Sequence, residues 1–178
     1  PSDSLFSGAP VALVTALGDE GFVSERVLAA DIGYRAVLGA GWTTDITVFR
    51  NRYDDLLTQE PGLPIHGDDP EPHLVVPVRN NNLAEADIRG LEMSLEWQAR
   101  PWWQIRAIYT FVDIDLDLLP QSRDFISSTF PGESPRHQVG LRSLAQLGPW
   151  SLHAAGRRIG AIDNPGIDAY ATVDARVA

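Results

Sequence analysis

The feature that most constrains this chain is an alternation of apolar and polar side chains with a period of two residues. Between Ile88 and Ala99, apolar side chains occupy the odd positions from Leu91 to Trp97, and polar ones the even positions from Glu92 to Gln98. Side chains two residues apart share one face of a β-strand, so this pattern predicts an amphipathic strand. It recurs in about seven segments. These are Ser24–Leu38, Trp42–Tyr53, Ile88–Ala99, Trp103–Val112, Gln138–Leu147, Trp150–Ile159 and a last one from near Ala169 to Ala178.

The lengths of the strands and of their connections predict the fold class. Strands of about 10 residues exceed the ~5–6 residues usual in soluble sheets and suit tilted membrane strands. Short turns alternate with long polar loops, as in outer-membrane barrels. We therefore predict an all-β fold, an antiparallel up-and-down meander that forms a partial transmembrane β-barrel and would be a curved open sheet if isolated. The turns are 39–41, 100–102 and 148–149, and the loops are roughly Asp54–Asp87, Asp113–His137 and Gly160–Asp168.

Pairing the strands across the tight turns predicts which face is polar. It places Arg35 opposite Asp45 and Glu96 opposite Arg106, which predicts two ion pairs on the polar face. A slip by one residue would move these charges to the lipid side, at about 2–4 kcal/mol for an Arg at the midplane. Arg50 has the parity of the apolar face, which predicts a bulge or an exit from the bilayer there. The residues predicted to line a water-filled lumen are Arg35, Asp45, Glu92, Glu96, Arg106, Arg142 and Arg157.

Three tryptophans occupy equivalent positions in the hairpins. Trp42, Trp103 and Trp150 each open a strand after a tight turn, and each has the parity of the apolar face. Indole rings favour the membrane–water interface, where the ring is in lipid and the N–H meets polar groups. The pattern predicts a lipid-interface girdle, although aromatics beside turns also cover soluble hairpins.

Composition excludes several function classes. The formal net charge is −10, which argues against nucleic acid as a partner. There are no cysteines, so disulfides and thiolate chemistry are excluded. Pro1–Ser4 does not begin a signal peptide, and the apolar run Ala9–Leu17 is far shorter than the ~20 residues of a spanning helix. We predict no catalytic residue, metal site or cofactor, and no enzymatic activity.

Two clusters of titratable residues are candidates for chemistry. Glu92 and Glu96 share a strand face but lie about 13 Å apart by the rise per residue, too far for paired glycosidase carboxylates. The first long loop holds two imidazoles and three acidic groups within eight residues, which is more typical of a solvated loop than of a metal site. These loop residues are His66, Asp68, Asp69, Glu71 and His73.

The order and spacing of several short motifs resemble the C-terminal barrel region of TonB-dependent outer-membrane receptors. Each motif is weak alone, and together they cover roughly residues 24–178. They are Ser24-Glu25 before Asp31-Ile32-Gly33-Tyr34-Arg35, Phe49-Arg50-Asn51-Arg52-Tyr53-Asp54-Asp55-Leu56, Asn80-Asn81-Asn82 before Arg89-Gly90-Leu91-Glu92, Tyr109-Thr110-Phe111, Ser134-Pro135-Arg136-His137, and Tyr170 before Val173-Asp174-Ala175-Arg176.

The resemblance implies that residues 1–178 are part of a 22-stranded barrel in the Gram-negative outer membrane, with lipid around it and a plug inside. Receptors of this family take up scarce nutrients such as ferric siderophores, driven by the TonB complex through the plug. It implies a small-molecule or metal-chelate ligand. It also implies that the loop cluster, defined as His66, Asp68, Asp69, Glu71 and His73, is extracellular and contacts this ligand. Arg142 and Arg157 are expected to contact an anionic ligand or plug carboxylates. By the family pattern, plug and TonB-contacting segment are absent and about two strands should follow.

Two alternatives remain open from the sequence. A soluble all-β ligand- or carbohydrate-binding domain would bury Leu95, Trp97 and Ile105 beneath a second sheet. A passive porin-like channel would share these strands without a plug. On the membrane hypothesis, the isolated chain has two free sheet edges and a large apolar face, so we expect it to aggregate or to require detergent.

Overall fold

A computed structural model describes residues 11–68 and 71–178, and these residues form nine strands and one short 3₁₀ helix. No helix among them is long and apolar enough to cross a membrane. The strands are β1 (Val11–Leu17), β2 (Arg26–Gly39), β3 (Trp42–Pro61), β4 (Ile65–Gly67), β5 (His73–Arg100), β6 (Trp103–Leu118), β7 (His137–Leu147), β8 (Trp150–Ile159) and β9 (Tyr170–Val177), and the 3₁₀ helix is Ser127–Glu133.

The chain divides into two compact units, and the strands β3, β5 and β6 contribute residues to both. The wall unit contains Val27–Tyr53, Ala86–Leu116 and Thr129–Ala178. The loop unit contains the described parts of Pro1–Arg26, Asp54–Glu85 and Asp117–Ser128. The sheet order is β2-β3-β5-β6-β7-β8-β9, with β1 and β4 pairing to β5 off this path. The predicted antiparallel meander of seven strands is confirmed.

Within the wall unit, the hairpins follow from their turns. In the first turn, Gly39, Ala40 and Gly41 all have positive φ, at 80°, 47° and 80°. Glycine is required at position 41 for two reasons. Its φ is positive, and a Cβ there would lie 2.7 Å from the backbone oxygen of Gln98. After the third turn, Trp150 pairs with Leu147, as the sequence predicts.

The long loops predicted at Asp54–Asp87 and Asp113–His137 are wrong in extent. The strand β3 continues to Pro61, β5 begins at His73, and β6 continues to Leu118. The extension of β3 carries polar side chains on both faces. The extension of β5 is apolar on both faces from Leu74 to Val78, and that of β6 alternates from Asp113 to Leu118. The period-two pattern appears only where the two faces of a strand differ in polarity, so it does not detect strands whose faces are alike. The loop Gly160–Asp168 does connect β8 to β9.

The loop unit contains a parallel strand that the sequence did not predict. The strand β1 pairs with β5 in parallel, with Val11 opposite His73 and Leu17 opposite Arg79. Beside it, the Asn82 amide donates to the backbone oxygens of Val23 (3.0 Å) and Asp55 (2.6 Å). Its Oδ1 accepts from the Val23 N–H at 2.7 Å, so this nearly buried side chain joins three segments of the loop unit.

Asp124 fixes the loop that follows β6 in the loop unit. It is 4% exposed, and its carboxylate accepts from the backbone N–H groups of Gln59 (2.8 Å), Ile126 (2.8 Å) and Ser127 (3.0 Å). The Ser127 hydroxyl also donates to it at 2.6 Å. Burial alone would raise the pKa of Asp124, but these hydrogen bonds outweigh it and hold the pKa below its ordinary value.

Asp124→Asn is expected to loosen this loop. The asparagine amide directs N–H donors at backbone donors, so loop closure should weaken by about 1–3 kcal/mol. Because the pKa of Asp124 is lowered in the folded state, its carboxylate stabilises loop closure fully above the unfolded pKa of about 3.9. This stabilisation is lost as pH falls through the folded pKa. Hydrogen exchange of residues 122–127, corrected for intrinsic rates, should therefore rise in Asp124→Asn at neutral pH and in the wild type only in acid.

The matched control is Asp19→Asn, which removes one exposed carboxylate that accepts from the Gly21 N–H at 2.7 Å. Protection of residues 122–127 should be unchanged in this variant. Equal protection of those residues in the wild type and Asp124→Asn would contradict the role given to Asp124.

Candidate functional site

The first candidate surface is the outer face of the wall unit, defined as the face that carries Trp42, Trp97 and Trp103. The rings of Trp42 and Trp97 stack at 4.9 Å, and those of Trp97 and Trp103 lie 6.4 Å apart. Trp103 pairs with Ala145 and Leu147 with Trp150, which places Trp150 on the same face. The three tryptophans predicted to form a girdle therefore share one face.

The outer face is apolar and open. Leu141 is 55% exposed and Val173 is 81% exposed. The residues that a sandwich would enclose, Leu95, Trp97 and Ile105, are only half-buried. Among the described residues of the wall unit, the buried hydrophobic side chains are Ala86 and Ala99. No second layer of the wall unit covers this face, so its apolar side chains need another apolar partner.

The opposite, inner face of the wall unit carries charges at the alternate positions. The Nε of Arg35 donates to Asp45 at 2.6 Å, which confirms the predicted cross-strand ion pair. Glu96 accepts instead from the Gln104 amide at 2.9 Å, and no ion pair among the described residues joins it to Arg106. That predicted ion pair is wrong, because an amide two positions closer to the turn satisfies the carboxylate. Glu92 lies exposed on the same side of β5 as Glu96.

The inner face becomes basic along β6, β7 and β8. Arg106 lies directly opposite Arg142 in the register, and like charges in that position repel. The Nε of Arg157 donates to the Thr172 hydroxyl at 3.1 Å. The three arginines and Asp174 line one depression of about 370 Å³. Such a surface favours an anionic group above it.

Of the bulge or exit from the bilayer predicted near Arg50, the bulge does not occur in the wall unit. Phe49 stays on the inner face, where its ring covers Gly90. A Cβ at Gly90 would lie 2.4 Å from Phe49 Cζ and 2.6 Å from the Phe111 backbone oxygen. A bulge is therefore not needed there, since glycine opposite an aromatic ring lets β3 keep its alternation. The left-handed residue of β3 is Asp55, with φ 60°, in the loop unit.

Ion pairs that sequence reasoning missed lie on the outer face, at the ends of its strands remote from the tryptophans. Arg50 is bidentate to Asp87, with its Nε 2.9 and 3.1 Å from the two oxygens. Arg89 donates to Asp113 at 2.8 and 3.0 Å, and Arg136 lies 3.6 Å from the same carboxylate. The signal available in the sequence was the parity of Arg50 and Arg89, which equals that of the tryptophans on their own strands.

The described residues of the loop cluster, which lie in the loop unit, do not converge on a common site. Gly67 pairs with His73 and His66 with Leu74, so the two imidazoles occupy adjacent register positions and point to opposite faces. The His73 ring contacts the Glu71 backbone oxygen at 2.7 Å. Asp68 is exposed, and Asp69 lies outside the described residues. Within 11–68 and 71–178, no three His, Cys, Asp or Glu side chains gather as metal ligands.

Comparison with known proteins gives one family. The sequence profile of the family described as "TonB dependent receptor-like, beta-barrel" matches residues 2–178. No individual curated protein matches significantly.

Solved structures with the same fold are much longer than this chain. The iron transporter FrpB from Neisseria meningitidis (F3-3 variant) is 11% identical with a TM-score of 0.65, over 93% of this chain and 25% of its own. The siderophore receptor PirA from Acinetobacter baumannii is 14% identical with a TM-score of 0.60, over 86% and 25%. The copper transporter OprC is 13% identical with a TM-score of 0.59, over 88% and 24%. The chain thus spans about a quarter of each structure.

Proposed function

Since the chain belongs to the TonB-dependent receptor β-barrel family, we propose that it forms part of the wall of an outer-membrane receptor that imports a scarce nutrient. The outer face of the wall unit contacts membrane lipid, and the inner face lines the interior. No covalent chemistry is required, because the task is capture and passage of a ligand. Transport is driven by the TonB complex through a plug domain.

One observation carries this proposal, the separation of side chains onto two faces of the wall unit. An open apolar face such as that of Leu141 and Val173 is costly in water and stable in hydrocarbon. The opposite face holds Arg35 paired with Asp45, which needs water or protein. A wall between lipid and an aqueous interior satisfies both faces at once.

The roles of individual residues follow from these faces. Trp42, Trp103 and Trp150 form the interfacial girdle at the turn ends of the strands. Arg106, Arg142 and Arg157 bind anionic groups of the plug or of the ligand, because their guanidiniums crowd one depression. The loop cluster contacts the ligand from outside the cell, and its proposed contact residues are His66, Asp68, Asp69, Glu71 and His73.

The proposed nutrient is a ferric chelate such as a ferric siderophore. Of the three solved proteins with this fold, FrpB is an iron transporter, PirA is a siderophore receptor and OprC is a copper transporter. Two carboxylates and two imidazoles of the loop cluster are among its described residues, and such side chains suit hydrogen bonding to a polar chelate.

Uptake in cells tests the proposal against a passive channel. Gram-negative cells that produce the protein receive iron-55 as ferric citrate or as a ferric hydroxamate, with and without an uncoupler of the proton gradient. We expect saturable uptake that the uncoupler abolishes, and recovery of the protein in outer-membrane fractions. Non-saturable uptake that is indifferent to the uncoupler would establish the channel instead, and recovery in a soluble fraction would refute the membrane role. Copper supplied in the same way tests the other metal.

A further inference from the structure

Arginines recur on the outer face of the wall unit at a fixed distance from the tryptophans. Arg50 follows Trp42 by eight positions on β3, and Arg158 follows Trp150 by eight on β8. On β5, which runs the other way, Arg89 precedes Trp97 by eight. We call the set Arg50, Arg89 and Arg158, together with Arg136, which precedes β7 and contacts Asp113, the arginine belt.

The interval between tryptophans and belt matches the thickness of a membrane. Eight residues span about 26 Å along a strand, and a tilt of about 40° reduces this to roughly 20 Å of height. On β6, ten residues from Trp103 to Asp113 give roughly 25 Å in the same way. The apolar band of outer-membrane barrels is about 25 Å tall.

The outer-face positions between the two levels are uncharged on every strand that carries such a tryptophan and arginine. They are Thr44, Ile46 and Val48 on β3, Leu91, Met93 and Leu95 on β5, and Leu152, Ala154 and Gly156 on β8. The charge therefore begins abruptly, where hydrocarbon would end.

The belt carries more positive than negative charge. Asp87 is engaged by Arg50, whereas Asp113 is shared between Arg89 and Arg136. Three guanidiniums therefore meet two carboxylates. Arg158 adds a fourth positive charge, and Asp115 on the same face of β6 adds a third negative one. The side chains of Arg50, Arg89 and Arg136 remain 63–69% exposed despite these contacts, so each can form further hydrogen bonds.

A depression beside Arg158 adds a place for a hydrocarbon chain. Ala154, Gly156 and Ala171 are small, and with Leu141 and Val173 they leave a shallow groove of about 440 Å³ that Arg158 also lines. An apolar groove next to an exposed guanidinium is complementary to an acyl chain that ends in an anionic head group.

We propose that the arginine belt binds the phosphate groups of acidic lipids in the leaflet on the loop side of the membrane, and that the groove beside Arg158 seats one of their acyl chains. A guanidinium donates two parallel hydrogen bonds to phosphate oxygens. In a zwitterionic lipid, the choline cation partly neutralises the phosphate charge, so an acidic lipid is bound more strongly. This inference rests on the membrane orientation proposed above.

Lipid selectivity of the full-length receptor that contains this chain, reconstituted in phosphatidylcholine vesicles, tests the belt. Spin-labelled phosphatidic acid and spin-labelled phosphatidylcholine report which lipid occupies the protein surface. The outer variant is Arg50→Gln, Arg89→Gln and Arg158→Gln together, and the matched inner variant is Arg106→Gln, Arg142→Gln and Arg157→Gln. We expect the wild type and the inner variant to prefer phosphatidic acid, and the outer variant to lose at least about fivefold of that preference.

Two further arms keep the outcome decisive. Lysine at the three outer positions should retain most of the preference, because it keeps the charge. Inorganic phosphate should compete only weakly, since it lacks the acyl chain. Unchanged selectivity in the outer variant, or complete loss in the lysine variant, would overturn the belt.

A separate readout tests the orientation. Lipids brominated on their acyl chains should quench the tryptophan fluorescence of the wild type, because bromine and the girdle occupy the same layer. Quenching without arginine-dependent selectivity would refute the belt alone. An absence of quenching would refute the proposed membrane face, and the belt with it.

Discussion

Replacing Gly90 by valine is expected to destabilise the protein by about 3 kcal/mol or more. A Cβ at this position would lie 2.4 Å from Phe49 Cζ and 2.6 Å from the backbone oxygen of Phe111. The ring can rotate, but the oxygen belongs to the neighbouring strand, so relief requires β5 and β6 to separate locally. Overpacking of this kind costs about 1–3 kcal/mol where side chains alone must move, and more where backbone is displaced. Urea unfolding of the refolded protein in detergent micelles measures the loss.

Two variants separate the clash from a general effect of losing a glycine. In Gly156→Ala the nearest atoms lie 3.8 and 3.9 Å from the new Cβ, so its unfolding midpoint should stay near that of the wild type. Gly90→Val combined with Phe49→Ala should recover only part of the loss, since the Phe111 oxygen remains. An unchanged midpoint in Gly90→Val would contradict the packing of the inner face.

Met93→Arg is expected to destabilise the protein in vesicles by about 2–4 kcal/mol, the cost of a guanidinium at the midplane of a barrel's lipid face. Met93 lies on the outer face, four positions from both Trp97 and Arg89. It is 39% exposed, so an arginine fits sterically and the loss comes from solvation. Unfolding of the vesicle-inserted protein by guanidinium chloride measures it.

Ser94→Arg is the matched control, because it adds the same side chain one residue further along β5 on the inner face. Its loss should stay below about 1 kcal/mol, since the guanidinium meets water and the nearby Glu96. Equal losses for both variants in vesicles would mean that the outer face does not contact lipid.

The faces of the wall unit were predictable because apolar and polar surroundings act on alternate residues of the same strand. The result on β5 is the alternation of apolar and polar side chains from Leu91 to Gln98, and tight turns then align neighbouring strands. The pairing of Arg35 with Asp45 follows from this register alone. Partners off the direct register did not follow, as the contact of Glu96 with Gln104 illustrates.

The structural features that the sequence did not predict lie mostly where the alternation ends. Beyond Tyr53 on β3 and from Arg79 to Asp87 on β5, polar side chains stand on both faces, so strand and loop look alike in composition. The parallel pairing of β1 with β5 joins residues about sixty positions apart, and no local pattern records it. The belt was hidden for another reason: Arg50 looked like a fault in the alternation until the structure placed Asp87 beside it.

Spin-label accessibility along β5 distinguishes contact with lipid from contact with protein on the outer face. The sequence contains no cysteine, so single cysteines at positions 91 to 96 can each carry one nitroxide in the vesicle-inserted protein. We predict that oxygen, which concentrates in hydrocarbon, reaches labels at Leu91, Met93 and Leu95. A water-soluble nickel chelate should reach those at Glu92, Ser94 and Glu96 instead, in strict alternation. Labels at the odd positions that neither reagent reaches would show protein covering the outer face, and the account would be wrong.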